Sequence, residues 1–186
     1  MGHGGDAIAE LMADHREVEE MFARIKAMPG GGQALRDVVD EVTIELVRHS
    51  IAEEEYLYPA VRKHVPGGDG IADREIADHG RVEELLKDLE KTDTDDLAMS
   101  PLLHRLMEEV SAHVRDEEDN LFPRLRQECS PEALNDLGDK IRRAKSTAPT
   151  RPHPSAPDTP PANKILAPGA GLVDRARDLI TGRGKS

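Results

Sequence analysis

The chain reads HSIAEEEYLYP at residues 49–59 and HVRDEEDNLFP at residues 113–123. In each stretch a histidine is followed four residues later by a glutamate, then a second acid, then a leucine, an aromatic and a proline. An α-helix turns about 100° per residue, so residues four apart share a face, one turn along. His49 therefore points with Glu53, and His113 with Glu117. Both pairs lie in stripes that also carry Leu46, Leu57, Val110 and Leu121, so they are expected to face inward. The same register, a shift of 64 residues, relates ADHREVEE at 13 to ADHGRVEE at 77 and brings His15 into correspondence with His79. One helical hairpin is written twice. Duplication alone needs only apolar residues at the repeated inward positions, yet here they are His and Glu.

Working outward, apolar residues recur at three- and four-residue steps along four segments. The first runs through Ile8, Leu11, Val18, Phe22 and Ile25 to the breaker PGGG at 29–32. The second runs through Val38, Val42 and Leu46 to Leu57 and stops near PGGDG at 66–70. The third, from Ile71 to Leu89, is closed by TDTDD at 92–96, and the fourth is expected to open on Ser100-Pro101 as N-cap and first turn. Ser130-Pro131 opens a shorter fifth helix to about Lys145. Short connections between long amphipathic helices predict an all-α, up-down-up-down four-helix bundle over residues 1–145. Residues 146–186 form an appendage. Seven of the thirteen prolines fall between Thr147 and Pro168, so this part is expected to run extended. Beyond it Leu172, Val173, Ala176, Leu179 and Ile180 share one face of a short amphipathic helix. Docking on the bundle is the favoured role for this tail, and a partner or membrane contact through Arg175, Arg177, Arg183 and Lys185 is the alternative.

Composition narrows the function. Lys and Arg total 25 against 37 Asp and Glu, a formal charge of -12, which opposes attraction to a phosphate backbone and argues against a nucleic-acid partner. One cysteine, Cys129, rules out an internal disulfide framework and a thiolate zinc cage and is compatible with the cytoplasm. No apolar run approaches membrane-span length. With Trp 0, Tyr 2 and Phe 2, the core must be built from aliphatic side chains, a palette that suits helices.

A single histidine on an apolar stripe is ordinarily a hydrogen-bonded core residue. Four inward histidines with two inward carboxylates at similar depth are different, because burying unpartnered ionisable groups costs several kcal/mol apiece. A metal ion supplies the missing partner. The order His15, His49-x-x-x-Glu53, His79, His113-x-x-x-Glu117, with EExxLYP and EExxLFP trailing the pairs, resembles the hemerythrin-like HHE cation-binding family over about residues 5–128. The resemblance implies the four-helix bundle and a non-haem centre of two iron ions, oxo- or hydroxo-bridged. Carried over by position, its metal ligands would be His15, His49, Glu53, His79, His113 and Glu117, with the two glutamates bridging. The donor set also accepts zinc.

The pattern departs from the family's oxygen carriers, which resemble H, HxxxE, HxxxH, HxxxxD. Here Glu83 stands four residues after His79, and the fourth helix carries HxxxE. One histidine fewer leaves room for solvent, peroxide, nitric oxide or another protein ligand. Tyr56, seven residues after His49, falls on the site face of a regular α-helix; a hydrogen bond to Glu53 or simple core packing is the favoured role, and direct ligation the alternative. Glu19 and Glu83 are further candidates, with a solvated face as the competing account. His104 faces away. The expected function is turnover of hydrogen peroxide, nitric oxide or both, the catalase-like activity that resemblance to mycobacterial hemerythrin-like proteins implies. The alternative is a protein that binds or senses oxygen, nitric oxide or iron without turnover. Partners are expected to be these small molecules, and the chain a monomer or weak dimer.

Overall fold

The computed structural model describes residues 4–28 and 30–153, together with Asp174 and Asp178. Helix α1 spans Ala7–Ala27, and α2 spans Gln33–Ala52 and continues through a π-helical turn, Glu53–Leu57, into α3, Tyr58–His64. Helix α4 spans Gly68–Lys91; α5, Met99–Asp116, continues through a second π-helical turn, Glu117–Leu121, into α6, Phe122–Glu128, and α7 spans Pro131–Thr147. Four bundle helices, two of them interrupted by π turns, are thus followed by a fifth. Helix α1 packs on α2, α4 on α5 and α3 on α4, while α7 lies across α1 and α2.

Caps mark several boundaries. The Asp6 side chain accepts the Ala9 N–H at 2.8 Å, and Ser130 accepts the Ala133 N–H at 3.3 Å, which satisfies donors that a helix start leaves unpaired. Ser100 does not cap α5. The helix begins two residues earlier, after Ala98, whose N–H is taken by Asp96 Oδ1 at 2.8 Å. Nor does PGGDG separate helices over its whole length. The turn runs over 65–67, closed by the Gly68 N–H on Val65 O at 2.9 Å, with Gly67 in the left-handed region at φ +74, and α4 begins at Gly68. A Cβ on Gly68 would sit 2.2 Å from the Val61 carbonyl oxygen, so the α3–α4 corner requires glycine there. Gly138 plays the same part for α7, where a Cβ would meet Gly5 O at 2.9 Å.

The apolar core is in two parts. One contains Val18, Phe22, Val42, Leu46, Val82, Leu86, Leu106 and Val110. The other contains Ile8, Leu11, Leu57, Tyr58, Val61, Ile71, Leu121, Phe122, Leu125 and Ile141. Along α1 the second part precedes His15 and the first follows it. The same change from one part to the other occurs at His49, His79 and His113. The four histidines therefore lie in one polar layer between two apolar slabs.

The start of the tail folds back onto α4. The Arg151 guanidinium reaches Glu90 at 2.5 Å and Asp178 at 2.7 Å, and the His153 backbone N–H donates to Glu83 at 2.6 Å. Asp174 and Asp178 are helical and buried. The apolar residues expected on the distal amphipathic face, and Arg175, Arg177, Arg183 and Lys185, lie outside the described residues.

Candidate metal centre

His15 comes from α1, His49 from α2, His79 from α4 and His113 from α5, while Glu53 and Glu117 open the two π turns. All six are at most 6% exposed. Donor atoms of His15, His49, Glu53 and Glu117 lie within 4.8 Å of one another, as do those of Glu53, His79 and His113. Glu53 is common to both groups. Its Oε2 stands 3.2 Å from both His49 Nε2 and His79 Nε2. Glu117 Oε2 stands 3.4 Å from His15 Nε2 and 3.6 Å from His113 Nε2.

Each imidazole turns Nε2 inward and has a carboxylate at its other nitrogen. His15 Nδ1 meets Glu118 at 2.8 Å and His79 Nδ1 meets Glu54 at 2.9 Å, two pairs related by the 64-residue shift. His49 Nδ1 meets Asp14 at 3.2 Å, and His113 Nδ1 meets Glu75 at 3.0 Å. An acid hydrogen-bonded at Nδ1, as at His15, His49 and His79, fixes the tautomer that leaves the Nε2 lone pair free, the arrangement that orients a metal-binding histidine; the close approach of Glu75 to His113 lacks hydrogen-bond geometry. Spacing placed the inward six on one level. It did not identify Asp14, Glu54, Glu75 and Glu118, although the doubled acids at 53–54 and 117–118 carried the signal for two of them.

The residues fit a metal. His15 Nε2, Glu53 Oε1 and Glu117 Oε2 are buried without a hydrogen-bond partner, and His79 Nε2 and His113 Nε2 face each other at 3.2 Å. Unsatisfied acceptors aimed at one another are costly, and a cation between them removes the cost. Without a metal, protons do part of that work. Burial alone would lower the pKa of His79, but Glu53 and Glu54 outweigh it and hold the group at about 10. His49 is likewise raised against burial by Glu53 and Asp14, and Glu53, despite its burial, is held well below the usual range by His49 and His79.

The tyrosine at the centre is Tyr58. Its hydroxyl lies 3.1 Å from His79 Nε2 and 3.3 Å from both Glu53 Oε2 and Glu117 Oε1. Tyr56, expected on this face, is half-buried against the second core part beside Glu55 and Arg143. The π turn is the reason. The Tyr58 N–H bonds to Glu53 O, five residues back, so residue 58 takes the face that residue 57 would hold in a regular α-helix, and Tyr56 rotates off it by about 100°. Pro59 follows at once. Having no N–H and crowding the carbonyl four residues back, proline disfavours regular α pairing at this point. The second repeat does the same: the Phe122 N–H bonds to Glu117 O and Pro123 follows. Phe122 stacks on His15 with centroids 5.8 Å apart, while Tyr58 packs on His79 at 5.4 Å. Burial, then the Glu117 and Glu53 charges, push the Tyr58 phenol well above 10, so it is a neutral donor.

Of the other candidates, Glu19 is exposed and pairs with Arg16 at 2.5 Å. Glu83 accepts from the tail. His104 is 75% exposed, 3.8 Å from Glu108. A cavity of about 20 Å³ adjoins the histidines, walled by Val18, Leu46, Val82, Val110 and Val114. It has room for one molecule the size of water.

The model of the hemerythrin HHE cation binding domain matches residues 6–125. An uncharacterized hemerythrin-like protein of Schizosaccharomyces pombe is 29% identical over 171 residues, covering 91% of this chain and 84% of its own. A DNA nickase of a Nostoc species is 26% identical over 136 residues, 73% of this chain but 38% of that longer protein. Among solved structures, a hemerythrin HHE cation binding domain-containing protein of Mycobacterium kansasii has the same fold, with a TM-score of 0.68 at 21% identity over 77% of this chain and 86% of that one.

Proposed function

This chain belongs to the hemerythrin HHE cation-binding domain family, and on that premise we propose that its polar layer holds two iron ions and turns over hydrogen peroxide, nitric oxide or both. In this reading His15 and His49 would hold one ion and His79 and His113 the other, and Glu53 and Glu117 would offer carboxylate oxygens to them. The observation that carries it is the convergence of four Nε2 atoms on two buried carboxylates, with an acid at every Nδ1. When bound, such a pair of ions supplies one-electron redox chemistry and Lewis acidity.

The chain's own residues set the limits of that chemistry. Tyr58 holds a proton at its hydroxyl between Glu53 and Glu117, where it can donate to an oxygen or nitrogen atom arriving at the centre. The cavity of about 20 Å³ beside the histidines is the size of one water molecule, which favours a very small reactant over an organic substrate. Its valine and leucine walls keep bulk water away from the carboxylates. Peroxide disproportionation balances without an outside donor: one molecule is oxidised to dioxygen and a second is reduced to water.

The test is elemental analysis of protein expressed with iron, together with oxygen evolution from hydrogen peroxide and consumption of nitric oxide. Two irons per chain and peroxide-dependent turnover are expected. Stable, reversible oxygenation with negligible peroxide consumption would replace turnover by binding or sensing. Zinc at the same nitrogen and oxygen donors would give a redox-silent protein.

A further inference from the structure

The two halves of the centre repeat in sequence but not in what stands behind their histidines. His49 and His113 are equivalent in the 64-residue register. Asp14 Oδ2 takes His49 Nδ1 at 3.2 Å, and the other oxygen of Asp14 is bound by the Lys145 ammonium from α7. Lys145 is 6% exposed and also reaches Glu10 at 3.4 Å. Behind His113, Glu75 has a second acid, Asp116, as its neighbour. Glu118, behind His15, is likewise bound by a cation, Arg16.

We propose that Lys145 is a positioning residue which, acting through Asp14 on His49, makes the metal position held by His15 and His49 the weaker of the two. This rests on the two-ion reading above. A carboxylate that accepts an imidazole N–H increases the electron density at the metal-facing nitrogen. An ammonium on the far oxygen withdraws part of that charge and adds a positive field close to a bound cation. The fifth helix is thereby connected to the metal position held by His15 and His49. The unequal backing gives the centre one retained ion and one exchangeable ion.

Anaerobic cobalt(II) titration of the metal-free full chain, read by visible absorption, tests this. The wild type should bind in two separable steps, with the weaker one missing in His15→Ala and the tighter one missing in His79→Ala. In Lys145→Met the weaker step should tighten roughly tenfold, the lower end of what a partner of a ligating histidine contributes, and the tighter step should stay put. Lys145→Arg should keep the wild-type pattern. Since Lys145→Met leaves Asp14 and Glu10 facing one another, the double variant Glu10→Gln with Lys145→Met restores the local charge and should show the same tightening. If both steps weaken together in proportion to lost thermal stability, Lys145 is only structural and the proposal is overturned. Loss of the weaker step in His79→Ala instead of His15→Ala overturns it as well. A wild type that takes up fewer than two cobalt ions removes the two-ion reading itself. Two ions with a weaker step indifferent to Lys145 removes only the role given to that residue.

Discussion

Replacing Tyr58 by Phe deletes one oxygen from the centre and leaves the ring in place. The hydroxyl lies within 3.3 Å of Glu53, His79 and Glu117, but it has a single hydrogen and can donate to one of them at a time. A hydrogen bond to a charged acceptor contributes about 1.5–3 kcal/mol. For a chain of this size each kcal/mol moves Tm by roughly 2–4 °C, so the metal-free Tyr58→Phe protein should melt roughly 3–12 °C below wild type. Tyr56→Phe, at a half-buried position where solvent replaces lost contacts, should cost less than about 1 kcal/mol. The iron-loaded pair should separate in the same direction: Tyr58→Phe should shift the visible spectrum and lower peroxide turnover, with Tyr56→Phe close to wild type in both. Melting by circular dichroism and oxygen evolution from peroxide read these quantities. A larger effect of Tyr56→Phe than of Tyr58→Phe in both assays would refute the register change assigned to the π turn.

His49→Ala should lose metal and destabilise the fold toward the lower end of about 3–5 kcal/mol, because Glu53 and Asp14 lose the charged imidazole between them and keep His79 and Lys145 respectively, whereas His104→Ala should change neither; metal content and denaturant titration decide. Glu54→Gln, which removes the negative charge of the acceptor behind His79, should weaken metal binding about 10–100-fold, measured by competition with a chelator. The metal-free protein should lose stability at alkaline pH. His79 has a folded pKa of about 10 against an ordinary 6.5, so its contribution is complete below 6.5 and disappears as pH rises through 10. The metal-loaded protein should show a flatter profile over that window, because the ions take the place of the protons, and parallel Tm–pH curves for the two forms would contradict this.

The parts legible in the sequence were those that depend on a constant helical period. His49-x-x-x-Glu53 and its copy lie ahead of the π turns, where 3.6 residues per turn holds, and the inward facing they imply is found. Tyr56 was misplaced because the expectation carried the same period past Glu53, where the chain inserts an extra residue. The aromatic-proline pairs at 58–59 and 122–123, inside otherwise helical stretches, were the available sign of that insertion. The repeat also misleads at one point. Asp14 precedes His15 as Asp78 precedes His79, yet Asp78 pairs with Arg81 at the surface at 2.5 Å, and His113 is served by Glu75 instead. Contacts from α7 and the tail, such as Lys145 to Asp14 and His153 to Glu83, join residues distant in sequence and have no period to reveal them.

The two π turns and the split core have a common consequence for the centre. Each turn starts on an inward glutamate, so one element supplies a carboxylate and, five residues later, an aromatic ring over a histidine of the opposite repeat. Tyr58 covers His79 and Phe122 covers His15. A regular helix offers the inward face at three- and four-residue steps and would put Leu57 and Leu121 where the rings now stand. With aliphatic slabs above and below and space for about one water beside the histidines, the polar layer settles most of its charge internally, by protons or by metal ions. Only one of the covering rings carries a hydroxyl. The exchange of Tyr58 for Phe122 across the repeat therefore gives two otherwise similar halves a single proton donor, placed beside His79.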